Sequence, residues 1–181
     1  MQKAKQRSEI AQQDKWRIED IYATDEAWEA DYNECIRRAK EKCVYQGRLA
    51  ESAQILYQAL KESDEADLLV EHVYVYAFMK YYEDTANAVY QEMSGRAQAA
   101  VTKLSEKYAF LTPEILAIDQ KKMQEYLSSD TLALYRHALE DILAKKEHAL
   151  SEKEERLLAM AGQVTASPNE IFSKFNNADV K

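Results

Sequence analysis

The sequence holds only three glycines and two prolines in 181 residues. Sheet-rich folds need many tight turns, and these are the residues that make them, so the shortage points to helices joined by short polar loops. Cysteine is equally scarce. Cys35 and Cys43 stand eight apart in what reads as one helix, about 12 Å along its axis, too far for a disulfide, so both are read as reduced and partly buried. Positive charge is in deficit: 24 Lys and Arg face 32 Asp and Glu, a net charge of -8, which argues against a nucleic-acid-binding protein. No run approaches the roughly 20 apolar residues of a membrane span, and the N-terminal MQKAKQRSEIAQQDKW lacks the apolar stretch of a signal peptide. No membrane partner is expected, and the cytoplasm is the expected address.

Chemistry-bearing patterns are missing as well. No HExxH occurs: His72 is followed by Val73, His137 by Ala138 and His148 by Ala149, so two imidazoles one helical turn apart, as a helical zinc site needs, are not available. The ExxH pair of di-iron bundles is absent too, since Leu69, Leu134 and Lys145 stand three before the histidines. On one helix His137 and His148 would be about 16 Å apart, beyond sharing an ion. Glycine is too scarce for a phosphate cradle. No catalytic, cofactor-binding or metal-binding residue is assigned, and no cofactor is expected in this chain. The histidines and cysteines read as residues of amphipathic helix faces.

What is present is apolar periodicity. The stretch Asp64 to Tyr108 is the densest, interrupted at Glu83-Asp84-Thr85. Leu69, Val73, Tyr76 and Met79 recur at helical spacing, widened by Leu68, His72 and Val75; Val89, Met93, Ala97, Ala100 or Val101, Leu104 and Tyr108 form a second stripe. Two such helices cannot hide both faces alone, so the hairpin predicts a compact, mostly antiparallel all-α domain of about eight helical segments. Asp84 or Thr85 is expected to cap the helix starting near Ala86. Tyr74, Tyr76, Tyr81, Tyr82 and Tyr90 give that region a tyrosine-rich face, read as core and core-edge packing, with a peptide-binding groove as the alternative.

Around the hairpin the signals are local. Residues 1–15 are polar and read as a frayed end; 16–181 reads as one helical lobe. Trp16, Ile18 and Ile21 form a first apolar anchor. Thr24 can cap a helix whose first turn carries Asp25 and Glu26, with Trp28, Tyr32, Cys35, Ile36 and Ala39 inward. Gly47 marks a turn, and a helix with Leu49, Ala53, Leu56 and Leu60 inward ends around Glu62-Ser63. Thr112-Pro113-Glu114 reads as a helix start, Ser128-Ser129-Asp130 as a turn, and Leu132, Tyr135, Leu139, Ile142 and Leu143 as a buried face reaching about Glu147. Ser151 with Glu154, and Ser167 with Glu170, form two capping boxes.

Several of these stretches, in this order, resemble one family. Trp16 to Tyr22 with Ala27-Trp28-Glu29, Gly47-Arg48-Leu49, Val73 to Met79 followed by Glu83-Asp84-Thr85, Pro113-Glu114-Ile115, and His148-Ala149-Leu150-Ser151 leading to Glu154-Glu155 and Leu157-Leu158 are similar to the N-terminal helical region of bacterial oligoendopeptidase F, a zinc metallopeptidase of the thimet oligopeptidase group. Asn177-Ala178-Asp179 resembles the family's transition out of that region. The resemblance implies a parent enzyme that cleaves oligopeptides inside a channel, with zinc and an HExxH motif in a C-terminal catalytic part. For this chain it implies a non-catalytic lobe forming part of the channel wall. Its partners would be that catalytic part and, in the full-length enzyme, the peptide substrate. A severed lobe would expose an apolar surface near its C-terminal helices and self-associate. The competing expectation is a free-standing helical scaffold or peptide-binding module, with a closed and mostly polar surface.

Overall fold

The computed structural model describes residues 9–145, with Pro168 and Phe172 beyond them. No strand occurs among the described residues, which are helical or in short turns. After two single 3-10 turns, Gln12–Asp14 and Ile18–Asp20, come α1 (Asp25–Lys40), α2 (Ala53–Glu83), α3 (Ala88–Tyr108), α4 (Leu111–Ala117) and α5 (Gln120–Ser128), then a 3-10 segment Asp130–Tyr135 that leads into α6 (Arg136–Ala144). The described residues thus hold six α-helices in place of about eight segments. The two expected around Leu157 and Phe172 fall mostly outside them.

Helix α1 begins as its sequence dictates. Thr24 Oγ1 accepts from the Ala27 N–H at 3.3 Å, Asp25 and Glu26 occupy the positive first turn, and Arg37, Arg38 and Lys40 occupy the negative last one. It stops at Lys40, so Cys35 and Cys43 do not share a helix as expected. At Glu41 the backbone leaves the helix for an extended conformation, and beyond it Cys43 is in the core while Val44 stays in water. Both cysteines are buried free thiols, and burial pushes the Cys35 thiol up to about 11. Gly47 then turns the chain at φ +80, a left-handed conformation that side-chain-bearing residues seldom adopt.

Helix α2 overturns the boundary expected at Glu62-Ser63: it runs unbroken for 31 residues, about 46 Å. The physical reason is that polar residues do not by themselves end a helix. The stretch contains neither glycine nor proline, and Ser63 and Ala66 are small residues buried where neighbours approach. The inward stripe is therefore Ala59, Ser63, Ala66, Val70, Val73 and Ala77, whereas Leu68 and His72 face water. Ser52 caps the start, its Oγ accepting from Ile55 N–H at 3.2 Å.

The turn between α2 and α3 also differs from expectation. Asp84 Oδ1 accepts from Ala86 N–H at 3.1 Å within the turn, but the cap of α3 is Asn87, whose Oδ1 receives Val89 N–H at 2.9 Å and Tyr90 N–H at 3.3 Å. Moving the cap inward leaves Val89 exposed, while Met93, Ala97, Ala100, Leu104 and Tyr108 form the buried stripe of α3. Similarly, α4 starts one residue before Thr112, and Pro113 takes its third position. There too the N–H that proline lacks would have had no partner within the helix. Asp119 caps α5 through Lys121 and Lys122 N–H groups.

Residues 1–139 form one unit and 140–181 another. In the first, α1 lies against both α2 and α3. Ile18, Tyr22, Trp28, Cys35, Cys43, Val73, Tyr76, Leu104 and Tyr108 belong to the cluster they enclose. Trp28 anchors it: 1% exposed, it donates from Nε1 to the Val73 carbonyl at 2.8 Å and stacks on Tyr32 at 5.4 Å. Trp16, by contrast, is exposed and anchors nothing. A second set of buried side chains, including Leu49, Leu56, Ile115, Met123, Leu132 and Leu139, lies outside that cluster. Tyr126 donates to the Ala50 carbonyl at 3.0 Å, tying α5 to the segment ahead of α2, and Tyr135 donates to Asp64 at 2.7 Å, tying the 3-10 segment to the N-terminal half of α2. In the second unit, the described residues finish α6 and place Pro168 and Phe172, both exposed, in helix.

Candidate functional site

The residues that could bear chemistry are not brought together. His72 on α2 and His137 on α6 are both exposed, and His148 lies outside the described residues. Among the described residues no three His, Cys, Asp or Glu side chains are grouped so as to hold a metal ion. The resemblance assigns its zinc to a C-terminal catalytic part, and the described residues group no donor set for such an ion. Phenols, cations and partly exposed carboxylates instead cross-link helices. Tyr76 Oη donates to Asp25 Oδ1 at 2.8 Å, and Lys80 pairs with the same carboxylate while lying over the Tyr76 and Tyr90 rings. Burial raises the Asp25 carboxyl, yet the hydrogen bonds from Lys80 and Tyr76 outweigh it and leave the group below its usual range. Arg96 of α3 packs against the Trp28 and Tyr32 rings and pairs with Glu29 of α1. These contacts hold α1 to the hairpin.

A polar cleft of about 330 Å³ opens beside Arg37, Arg38, Glu41, Lys42, Glu62, Glu65, Lys107 and Tyr108. Its charges largely satisfy one another. Arg37 pairs with Glu34 and Glu41, Arg38 with Glu34, and Lys107 with Glu62 at 3.2 Å while also donating to the Arg38 carbonyl at 3.0 Å. Burial, then Tyr108 donating to Glu62 at 2.9 Å, raises the Tyr108 phenol. The cleft contains neither a nucleophile beside a base nor an unsatisfied charge pair aimed at a ligand, so it reads as a helix junction.

The tyrosine-rich face resolves into two parts. Tyr76 is buried in the core, and Tyr90 lies beside Lys80. Tyr74, Tyr81 and Tyr82 gather instead around Phe78, a residue the sequence reading passed over. Tyr74 stacks on Phe78 with centroids 4.2 Å apart, Tyr81 and Tyr82 lie 6.3 Å and 6.1 Å from Phe78, and the two tyrosines lie 5.2 Å from each other. Tyr82 is 71% exposed and the other three rings are half-buried. Their spacing of four, three and one puts them on one side of α2, a signal present in the sequence. The four rings form one aromatic surface along the C-terminal end of α2, next to the turn into α3.

Comparison with known proteins places the chain. Residues 114–181 match the family model described as Oligopeptidase F. Over 175 residues the chain is 41% identical to Oligopeptidase PepF of Bacillus subtilis, covering 96% of this chain and 26% of that protein. It is 40% identical over 183 residues to an oligoendopeptidase F homolog of Lactococcus lactis, covering 98% of this chain and 30% of that protein. The crystal structure of oligoendopeptidase-F from Enterococcus faecium superimposes with a TM-score of 0.71 at 30% identity, over 86% of this chain and 30% of that one. All-α among its described residues and aligning almost end to end with part of bacterial peptidases, the chain is the N-terminal helical region of a peptidase-type chain. Its family is oligoendopeptidase F, to which the chain belongs. It spans 26% to 30% of the length of the relatives named here.

Proposed function

We propose that residues 16–181 are the non-catalytic N-terminal lobe of an oligoendopeptidase F-like zinc metalloendopeptidase, forming part of the wall of its peptide-substrate channel in the cytoplasm. The observation that carries this reading is the alignment of 96% of the chain with a peptidase at 41% identity, in a sequence that contains no HExxH. Zinc and the activated water belong, on this reading, to the remaining polypeptide, which is the lobe's partner. The lobe contributes geometry: helical walls that admit a flexible peptide and exclude a folded one. Detached from that partner it self-associates weakly, and the association dissolves on dilution.

The test is reconstitution. The chain is mixed with a separately expressed catalytic part in the presence of zinc and a quenched fluorescent oligopeptide. The lobe reading expects no turnover from the chain alone and chelator-sensitive turnover, altered in rate or peptide-length preference, from the mixture. A catalytic part indifferent to the lobe at micromolar concentrations, or sustained chelator-sensitive turnover by the pure chain, would reject it.

A further inference from the structure

Helix α2 carries two stripes, and the core takes one of them. The inner stripe, Ala59, Ser63, Ala66, Val70, Val73 and Ala77, steps by four and three residues and is buried. About 140° round the helix, Leu68, Glu71, Val75, Phe78 and Tyr82 repeat the same alternating step, flanked by Asp67, Tyr74 and Tyr81. Leu69 and Met79 pack against the buried cluster, whereas Leu68, Val75, Phe78 and Tyr82 are not among the side chains packed on it. Leu68 and Tyr82 are exposed, as are Asp67 and Glu71, and Val75 and Phe78 are half-buried. An apolar repeat of 3.5 residues on an open side suits a second helix lying along it.

We infer that this outer stripe docks on the same stripe of a second copy of the chain, the two α2 helices running antiparallel about a two-fold axis between Tyr74 and Val75. The inference rests on the lobe reading only in expecting self-association, to which it gives a surface and a register.

The order of residues along the stripe selects this occupant. Counted outward from the axis, Tyr74 meets the partner's Val75, Glu71 the partner's Phe78, Leu68 the partner's Tyr81 and Asp67 the partner's Tyr82. Each end of the contact thus sets a phenol against a carboxylate. The fold already joins its own elements in this way: Tyr22 donates to Asp31, Tyr76 to Asp25, Tyr108 to Glu62 and Tyr135 to Asp64. Hydrogen bonds to an ionised acceptor are stronger than neutral ones.

Charge sets the direction. Asp67 and Glu71 have no ion-pair partner among the described residues. A parallel pair would set these carboxylates beside their own counterparts. The antiparallel pair instead carries Asp67 about 22 Å along the axis from the partner's Asp67. Area sets the strength: four turns of one helix pair fall below the roughly 1,200 Å² at which standard interfaces begin, so the dimer is weak and transient.

The test follows the mass of the 181-residue chain by sedimentation velocity from about 1 to about 500 μM. Two variants change exposed side chains, Tyr82→Glu and Asp67→Lys, and circular dichroism checks their folding. Tyr82→Glu sets a carboxylate against the partner's Asp67, and Asp67→Lys removes the acceptor, so each should weaken the dimer at least about tenfold. Mixed in equal amounts, the two variants should pair at least about tenfold more tightly than either pairs with itself, because the introduced lysine then faces the introduced glutamate. Should either variant misfold, hydroxyl-radical footprinting of the unaltered chain replaces it. Oxidation of Leu68, Phe78 and Tyr82 that falls as concentration rises supports the assignment, and protection confined to other residues overturns it. A chain monomeric throughout the range, a dimer indifferent to the folded variants, or a mixture no tighter than its components also overturns it. A monomeric chain whose stripe is protected only in the full-length protein assigns the stripe to the remaining polypeptide and overturns it too. Reconstituted peptidase activity from a chain that stays monomeric rejects this inference and leaves the lobe reading standing. A dimer of this register from a chain that reconstitutes nothing does the reverse.

Discussion

Replacing Trp28 by alanine tests the account of the core most directly. The side chain is 1% exposed, and its Nε1 donates to the Val73 carbonyl at 2.8 Å. One neighbour is the Tyr32 ring at 5.4 Å, and another is the Arg96 guanidinium at 5.2 Å. Truncating a buried tryptophan costs about 3 to 5 kcal/mol from lost transfer energy plus the cavity left behind. The indole hydrogen bond adds little beyond this: a helical carbonyl already serves the helix, so losing a second donor costs at most about 1 kcal/mol. The cation–π contact adds about 0.5 to 1 kcal/mol, of which Tyr32 retains part.

A net loss near 4 kcal/mol would remove a large share of a stability of about 5 to 15 kcal/mol and lower Tm by roughly 8 to 16 °C. Trp28→Phe keeps most of the ring and should lose about half as much. Urea melts of the three proteins followed by far-UV circular dichroism measure both differences, since a fluorescence signal would otherwise come from exposed Trp16. A loss below about 1 kcal/mol in Trp28→Ala would refute the placement of this residue at the centre of the α1–α2–α3 core.

Gly47→Ala should cost about 1 kcal/mol, read from a urea melt, because the residue sits at φ +80 although nothing lies within 4 Å of an added Cβ; an unchanged midpoint would mean that the turn adopts another conformation. Acid should also weaken the fold. Hydrogen bonds from Arg37 and Arg38 hold the Glu34 carboxyl at about 2 in place of its ordinary 4.5, so its contribution is fully present above about pH 4.5 and is lost as pH falls towards 2. Glu34→Gln should flatten that part of the pH profile of the urea midpoint, and an unaltered profile would show that these exposed pairs contribute nothing.

The all-α character was legible because it depends on sums, on scarce glycine and proline and on apolar residues recurring at one period. Individual boundaries were legible only where one side chain decides them. Thr24 was recognisable as a cap because a hydroxyl precedes two carboxylates, whereas Asn87 was obscured by two plausible neighbours, Asp84 and Thr85. The continuity of α2 through Ser63 was not legible, since a buried small residue and a surface polar residue look alike until the neighbouring helix is in place. Cys43 shows the same limit from the other side: helical spacing assigned it to α1, and tertiary burial drew it out. For the aromatic surface, the tyrosines could be seen in the sequence. Separating Tyr76 from Tyr74, Tyr81 and Tyr82 required knowing which side of α2 the core occupies.

The unbroken α2 has a consequence for dissecting the molecule. Its C-terminal half shares a core with α1 and α3, and its N-terminal half meets the 3-10 segment. A boundary drawn after Tyr108 would look natural, because it keeps three well-packed helices, yet it would leave Tyr57 and Asp64 without Tyr135, which both of them meet. The minimal autonomous piece therefore cannot be the three-helix core. A truncation at Tyr108 should fray from Ser52 towards Ser63, visible as fast amide exchange along the first turns of α2, while a truncation after Ala144 should protect the rod along its whole length.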